Sequence, residues 1–108
     1  MSQWIDVAAE ADLFEGVGMA VTPHGHDIAV FKVDDGVFAI NNQCSHGNAK
    51  LCDGFVEGHY VECPFHQAMF NLHDGSVACG PATEAVTSWP VKIEQGRVFL
   101  DLASECDV

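Results

Sequence analysis

Two cysteine–histidine pairs lie close together in this sequence. The first is Cys44 and His46, with one residue between them, and the second is Cys63 and His66, with two residues between them. Sixteen residues separate the two pairs. Together they offer two thiolates and two imidazoles, which satisfy a tetrahedral zinc ion. The same four side chains can hold a [2Fe–2S] cluster in which two histidines replace two cysteines on one iron.

No other grouping of the cysteines explains the sequence as well as a metal site made by the two cysteine–histidine pairs. A plant-type four-cysteine cluster needs a C-x4-C-x2-C spacing, whereas seven and ten residues separate Cys44, Cys52 and Cys63. A nucleophilic cysteine would use one thiol and one base, leaving the second pair unexplained. The chain has five cysteines, an odd number, so we do not expect a disulfide framework. We expect Cys52 and Cys79 to pack near the site and Cys106 to be a thiol in the acidic tail.

The four other histidines fall in predicted turns, and we expect none of them to have a functional role. They are His24, His26, His59 and His73.

Short β-strands must position the two pairs. Segments rich in Val, Ile, Phe and Tyr alternate with Gly, Asp and Asn, a pattern typical of an all-β domain. The pairs themselves fall in segments without strand periodicity, so we expect them on loops. We predict an antiparallel β-sandwich base over about 1–41 and 83–108, with a small inserted subdomain over about 42–82 that carries the two pairs and would bind the zinc ion or the cluster. The predicted strands are Trp4–Val7, Val17–Thr22, Asp27–Val33, Val37–Asn42, Gly54–Val56, Tyr60–Glu62, Met69–Asn71, Val86–Ile93 and Arg97–Leu102.

Turn residues separate these strands. Asp34-Asp35-Gly36 and Gln95-Gly96 predict hairpin turns, because glycine accepts the positive φ that such turns need. Glu57-Gly58-His59 and Asp74-Gly75 predict turns for the same reason. The only helical turn that we predict lies within Ala8–Phe14.

Composition and charge argue against some classes of function. The 108 residues fit one domain, and 48% of them are hydrophobic, as in a globular protein. Sixteen acidic residues against four basic ones give a formal net charge of −12, which argues against binding to nucleic acid or anionic membranes. The N-terminus lacks the pattern of a secretory signal, so we expect a cytoplasmic protein. The acidity either keeps the protein soluble or steers it toward a basic partner.

The ligand spacing C-x-H-x16-C-x2-H resembles that of the Rieske family. The flanking segments C-S-H-G, D-G-F-V-E-G and E-C-P-F-H-Q are similar to the ferredoxin component of bacterial aromatic-ring dioxygenases of the naphthalene dioxygenase type. This resemblance implies a Rieske fold with one [2Fe–2S] cluster per chain. It assigns Cys44 and Cys63 to one iron, and His46 and His66 to the other.

The resemblance also implies a role and partners. The protein would be a monomeric one-electron carrier, not an enzyme, that takes electrons from an NAD(P)H-dependent flavin reductase and delivers them to a terminal oxygenase acting on aromatic compounds. A structural zinc module, or a sensor of cluster state, remains as an alternative. The residues expected to surround the cluster or contact partners are Gly47, Asn48, Phe65, Gln67, Gly80 and Pro81.

Four positions distinguish this chain from respiratory Rieske proteins. Ala49 and Phe65 stand where those proteins have two further cysteines, so their loop disulfide cannot form here. Ala68 and Phe70 stand where they have serine and tyrosine hydroxyls that donate hydrogen bonds to sulfur. If each bond contributes roughly 1–2 kcal/mol, its loss lowers the potential by about 40–90 mV. We therefore expect a potential near the low end of the Rieske range, about −150 mV.

Overall fold

Three antiparallel sheets make up the fold. The structure is a computed structural model that describes residues 3–33, 36–43, 50–64, 68–79 and 85–102. Within these ranges the chain forms eleven strands and no α-helix. The sheets have the strand orders β1-β11-β10, β2-β3-β4-β9 and β5-β6-β7-β8. The strands are β1 Trp4–Ala9, β2 Gly18–Val21, β3 Ile28–Val33, β4 Gly36–Asn41, β5 Phe55–Glu57, β6 Tyr60–Glu62, β7 Met69–Asn71, β8 Val77–Cys79, β9 Ser88–Trp89, β10 Val91–Glu94 and β11 Arg97–Asp101.

The middle sheet is buried on both faces. In β3, Ile28 and Val30 pack into one hydrophobic core, which also contains Val98 of the first sheet. Ala29 and Phe31, whose side chains point the other way, pack into a second core with residues of the third sheet. The middle sheet therefore lies between the other two, and the second core attaches the small third sheet to it.

The prediction of an all-β fold is confirmed, and β6 and β7 begin and end at the predicted residues. Two strand predictions were wrong. The strand β8 was missed because, of its three residues, only Val77 has a strong preference for strands. The predicted strand Val86–Ile93 is divided at Pro90, since proline has no N–H to donate to a sheet. On either side of it, β9 pairs with β4 and β10 pairs with β11.

The predicted turn at Gln95-Gly96 is confirmed, with φ values of 51° and 78°. The helical turn near the N-terminus is a 3₁₀ turn over Glu10–Asp12. The prediction that it stands alone was wrong, because Pro23–Gly25 and Leu51–Asp53 also form 3₁₀ turns. Asp34 and Asp35 lie outside the described residues, and the predicted limits of the subdomain stay a prediction. The described residues include no helix with the length and apolar character needed to cross a membrane.

Candidate iron–sulfur centre

Cys63 lies at the base of the loop between β6 and β7. It is 1% exposed and belongs to the second hydrophobic core, together with Leu51, Ala68 and Phe70. Its backbone N–H donates to the carbonyl oxygen of Ala68 at 2.7 Å, which closes the loop across its first and last residues. Cys63 takes part in no disulfide. The fold therefore holds this cysteine at a fixed point at the end of the small sheet.

A second closed loop begins just after β4. Gln43 and Lys50 form an isolated antiparallel bridge, and the Leu51 N–H donates to the Asn42 carbonyl at 2.5 Å. The chain thus leaves the end of β4 and returns beside it, so that residues 44–49 connect two neighbouring stems. The 3₁₀ turn Leu51–Asp53 follows, with Leu51 buried in the same core as Cys63.

Two glycines let the stem that follows residues 44–49 pack closely against a strand on each side. A Cβ on Gly18 in β2 would lie 2.7 Å from the Cα of Cys52, and a Cβ on Gly54 would overlap the carbonyl oxygen of Glu62. A larger residue at either position would require backbone movement. The stem is therefore placed between β2 and the end of β6, next to Cys63.

A third segment starts at the same end of the sheet. Met69 pairs with Glu62 on one side and with Cys79 on the other, so the end of β8 lies in the same row as the end of β6. The chain returns at Val86, whose N–H donates to the carbonyl of Gly75 at 2.9 Å. The segments after β4 and β6 are thus each closed at their base by backbone contacts, and the segment after β8 starts at the same end of the small sheet as Cys63.

The stems of the first loop carry a polar network that runs from the buried Asn42 to the exposed Lys50. The Asn42 side chain donates to Asp27 at 3.0 Å and accepts from the Cys52 N–H at 2.8 Å. Lys50 forms an ion pair with Asp27. Hydrogen bonds from Lys50 and then Asn42 hold the pKa of the Asp27 carboxyl below its usual value, whereas burial raises the pKa of the Cys52 thiol.

Of the predicted ligands, only Cys63 lies in the described part of the chain. Cys52, predicted to pack near the site, is half-buried and contacts the core that contains Cys63. The other predicted site residues lie outside the described residues, and their roles stay predictions. They are Cys44, His46, His66, Gly47, Asn48, Phe65, Gln67, Gly80 and Pro81.

The histidines outside the motif form a separate feature. His59 and His73 stack with ring centroids 4.7 Å apart, on turns at the opposite end of the small sheet from Cys63. Among the residues that the structure describes, no group of three or more His, Cys, Asp or Glu side chains could hold a metal ion. The network around Asn42 was missed by sequence reasoning. The only signal was an asparagine directly after an apolar strand.

Comparison with known proteins defines the family. Residues 3–90 match the Rieske [2Fe–2S] domain. The chain is 40% identical over 101 residues to the ferredoxin component of the naphthalene 1,2-dioxygenase system of Pseudomonas putida, covering 94% of this chain and 97% of the relative. Its fold is similar to that of the Sphingomonas yanoikuyae B1 ferredoxin, with a TM-score of 0.87, 35% identity, and coverage of 92% and 98% of the two chains.

A further solved structure contains a similar chain bound to a redox partner. It is a complex of reduced oxygenase and oxidized ferredoxin in carbazole 1,9a-dioxygenase, matched with a TM-score of 0.84 and 32% identity over 91% of this chain and 92% of that one. The chain belongs to the Rieske [2Fe–2S] domain family. Within that family it belongs to the ferredoxin components, which carry electrons and do not catalyse the oxygenation themselves.

The donor set fits the Rieske [2Fe–2S] cluster that this family implies. The sequence supplies two thiols and two imidazoles, the ligand set of such a cluster. The structure places Cys63 in an apolar core beside the stems of the loop that carries the other pair. An apolar shell of this kind limits access of solvent to a metal site.

Proposed function

We propose that this protein carries single electrons from an NAD(P)H-dependent flavin reductase to a terminal Rieske non-haem iron oxygenase that acts on aromatic compounds. The observation that supports this most is the 40% identity, over nearly the whole of both chains, to a ferredoxin component of a dioxygenase system. We further propose that the protein is a cytoplasmic monomer.

In this proposal, Cys44 and Cys63 hold one iron, and His46 and His66 hold the other. The bound cluster supplies a centre that takes up and releases one electron. Neutral imidazoles in place of two thiolates change the charge of the oxidised centre from about −2 to about 0, which makes reduction easier. A ligating histidine also has a second ring nitrogen, which can donate a hydrogen bond to a partner.

The surface next to the site favours transient docking. Phe55 is 68% exposed on β5, an edge strand, and pairs with Glu62, the residue before Cys63. Exposed aromatic residues are frequent anchors in protein interfaces. The neighbouring Asp53 and Glu57 are exposed acids that would favour a partner with a basic rim.

Most of the positive charge is already paired within the chain. Lys50, Lys92 and Arg97, three of the four basic residues, form ion pairs with Asp27, Glu94 and Asp6. The acidic residues outnumber the basic ones fourfold, so most carboxylates have no basic side chain available to neutralise them. The field around the protein is therefore strongly negative, which suits attraction to a basic partner.

This proposal predicts a steep salt dependence of electron transfer. The second-order rate of reduction by the flavin reductase should fall as salt rises from low concentration to about 0.5 M, because attraction between surface charges is screened within about 8–10 Å at physiological salt. The midpoint potential of the cluster should barely move. Stopped-flow reduction in a salt series, with the flavin reductase of a naphthalene dioxygenase system as the electron donor, measures the rate. A rate that stays flat or rises with salt would show that the acidity serves solubility alone.

A further inference from the structure

Asn42 is the only buried polar or charged residue among those that the structure describes, and it is 2% exposed. Its backbone N–H donates to the Asp27 carbonyl at 2.9 Å, and its backbone carbonyl accepts from Leu51 at 2.5 Å. Its side-chain amide donates to the Asp27 carboxylate at 3.0 Å and accepts from the Cys52 N–H at 2.8 Å. One residue therefore joins the start of β3, the end of β4 and the 3₁₀ turn after the loop.

The Asp27 carboxylate completes the connection to the other stem. Its Oδ1 accepts from Asn42, and its Oδ2 accepts from Lys50. Lys50 is the first residue after the 44–49 segment and bridges Gln43, which precedes that segment. A single carboxylate, fixed just before β3 of the middle sheet, thus holds both stems of the loop.

Disrupting this network costs free energy at the stems of the loop. Removing the amide of Asn42 leaves the part-buried N–H of Cys52 without its acceptor, and a donor that loses its partner away from bulk water costs free energy. Closing a loop of this length does not require such a network, since the backbone bridge between Gln43 and Lys50 already joins its ends. The side-chain bonds add a fixed orientation of the stems relative to the core that contains Cys63.

We propose that Asn42, with Asp27, is a positioning residue for the iron–sulfur centre. It fixes the stems of the 44–49 loop so that Cys44 and His46 meet the irons in one geometry relative to Cys63. The protein therefore releases its cluster more slowly than it would without these bonds, and all molecules hold the cluster in the same ligand geometry. This inference rests on the proposed ligand set.

The test compares Asn42→Ala with Asn41→Ala. Asn41 is a good control because it is the neighbouring residue of the same type and its side chain also accepts a hydrogen bond, from the Trp89 indole at 3.1 Å, away from the loop. Loss of visible absorbance in excess chelator measures cluster release, and EPR of the reduced protein measures ligand geometry. We expect Asn42→Ala to release its cluster at least roughly tenfold faster and to broaden the EPR signal, whereas Asn41→Ala stays close to wild type.

A swapped pair provides a second test. Asn42→Asp alone places two carboxylates together, so it should release the cluster faster than wild type. Combined with Asp27→Asn it restores one amide and one carboxylate, and the new carboxylate can still accept from the Cys52 N–H. We expect the double variant to recover the slow release and the wild-type EPR signal. Comparison of Asn42→Asp with the double variant also tests the positioning role if Asn42→Ala does not fold.

The outcomes distinguish a failure of the positioning role from a failure of the proposed function. If wild type contains the cluster but Asn42→Ala releases it at the wild-type rate with an unchanged EPR signal, the positioning role is wrong and the proposed function stands. The role is equally wrong if the swapped pair fails to improve on Asn42→Asp. If wild type contains no iron and sulfide, the proposed function fails and this inference fails with it.

Discussion

Replacement of Cys63 by alanine is expected to abolish the cluster, lowering bound iron and sulfide from about two of each per chain to none. Cys63 is the predicted ligand that the structure places in the apolar core, and its substitution would leave an iron without one of its two thiolates. Visible absorbance and chemical iron and sulfide analysis of protein purified without air measure the loss.

Cys52→Ala is the matched control. Cys52 contacts the same core, but its part in the network is made by its backbone N–H, which alanine retains. Burial raises the pKa of its thiol, so it is a poor thiolate ligand. This variant should keep a wild-type content of iron and sulfide. If Cys52→Ala loses the cluster and Cys63→Ala keeps it, the ligand assignment is wrong.

The combined change Ala68→Ser and Phe70→Tyr is expected to raise the midpoint potential by roughly 80–180 mV. Both residues are fully buried in the core that contains Cys63, and neither side chain has a donor. New hydroxyls that reach sulfur would stabilise the more negative, reduced cluster. Protein-film voltammetry or a redox titration monitored by EPR measures the shift.

Ala29→Ser provides the control for added polarity. Ala29 lies in the same core but on β3, in the middle sheet, so its hydroxyl should leave the potential unchanged. An equal rise in this variant would show that core polarity in general, and not a hydrogen bond to sulfur, sets the potential. A wild-type midpoint already above about +100 mV would contradict the explanation from missing donors.

The sequence was informative where structure depends on local pattern. The short spacing within each cysteine–histidine pair indicated a metal site, and short runs containing Val, Phe or Tyr between turn residues located β6 and β7 correctly. The glycine at position 96 located a hairpin turn, because few other residues accept its backbone conformation. Each of these signals is contained within a few consecutive residues.

The features that were missed depend on contacts between distant parts of the chain. The bond from Asn42 to Asp27 joins residues fifteen positions apart, and nothing next to either residue indicates it. Pro90 marked a local break in the predicted strand Val86–Ile93, but the pairing of β9 and β10 with two different sheets depends on distant residues. The strand β8 is stabilised by pairing with β7 and has no pattern of its own.

Metal and sulfide analysis of freshly purified wild-type protein, followed by EPR after reduction, tests the central claim most directly. We predict about two irons and two acid-labile sulfides per chain, a red-brown colour, and a Rieske-type EPR signal with a low average g value. A colourless protein with one zinc ion per chain would contradict this account and would indicate a structural zinc site made by the same two cysteines and two histidines.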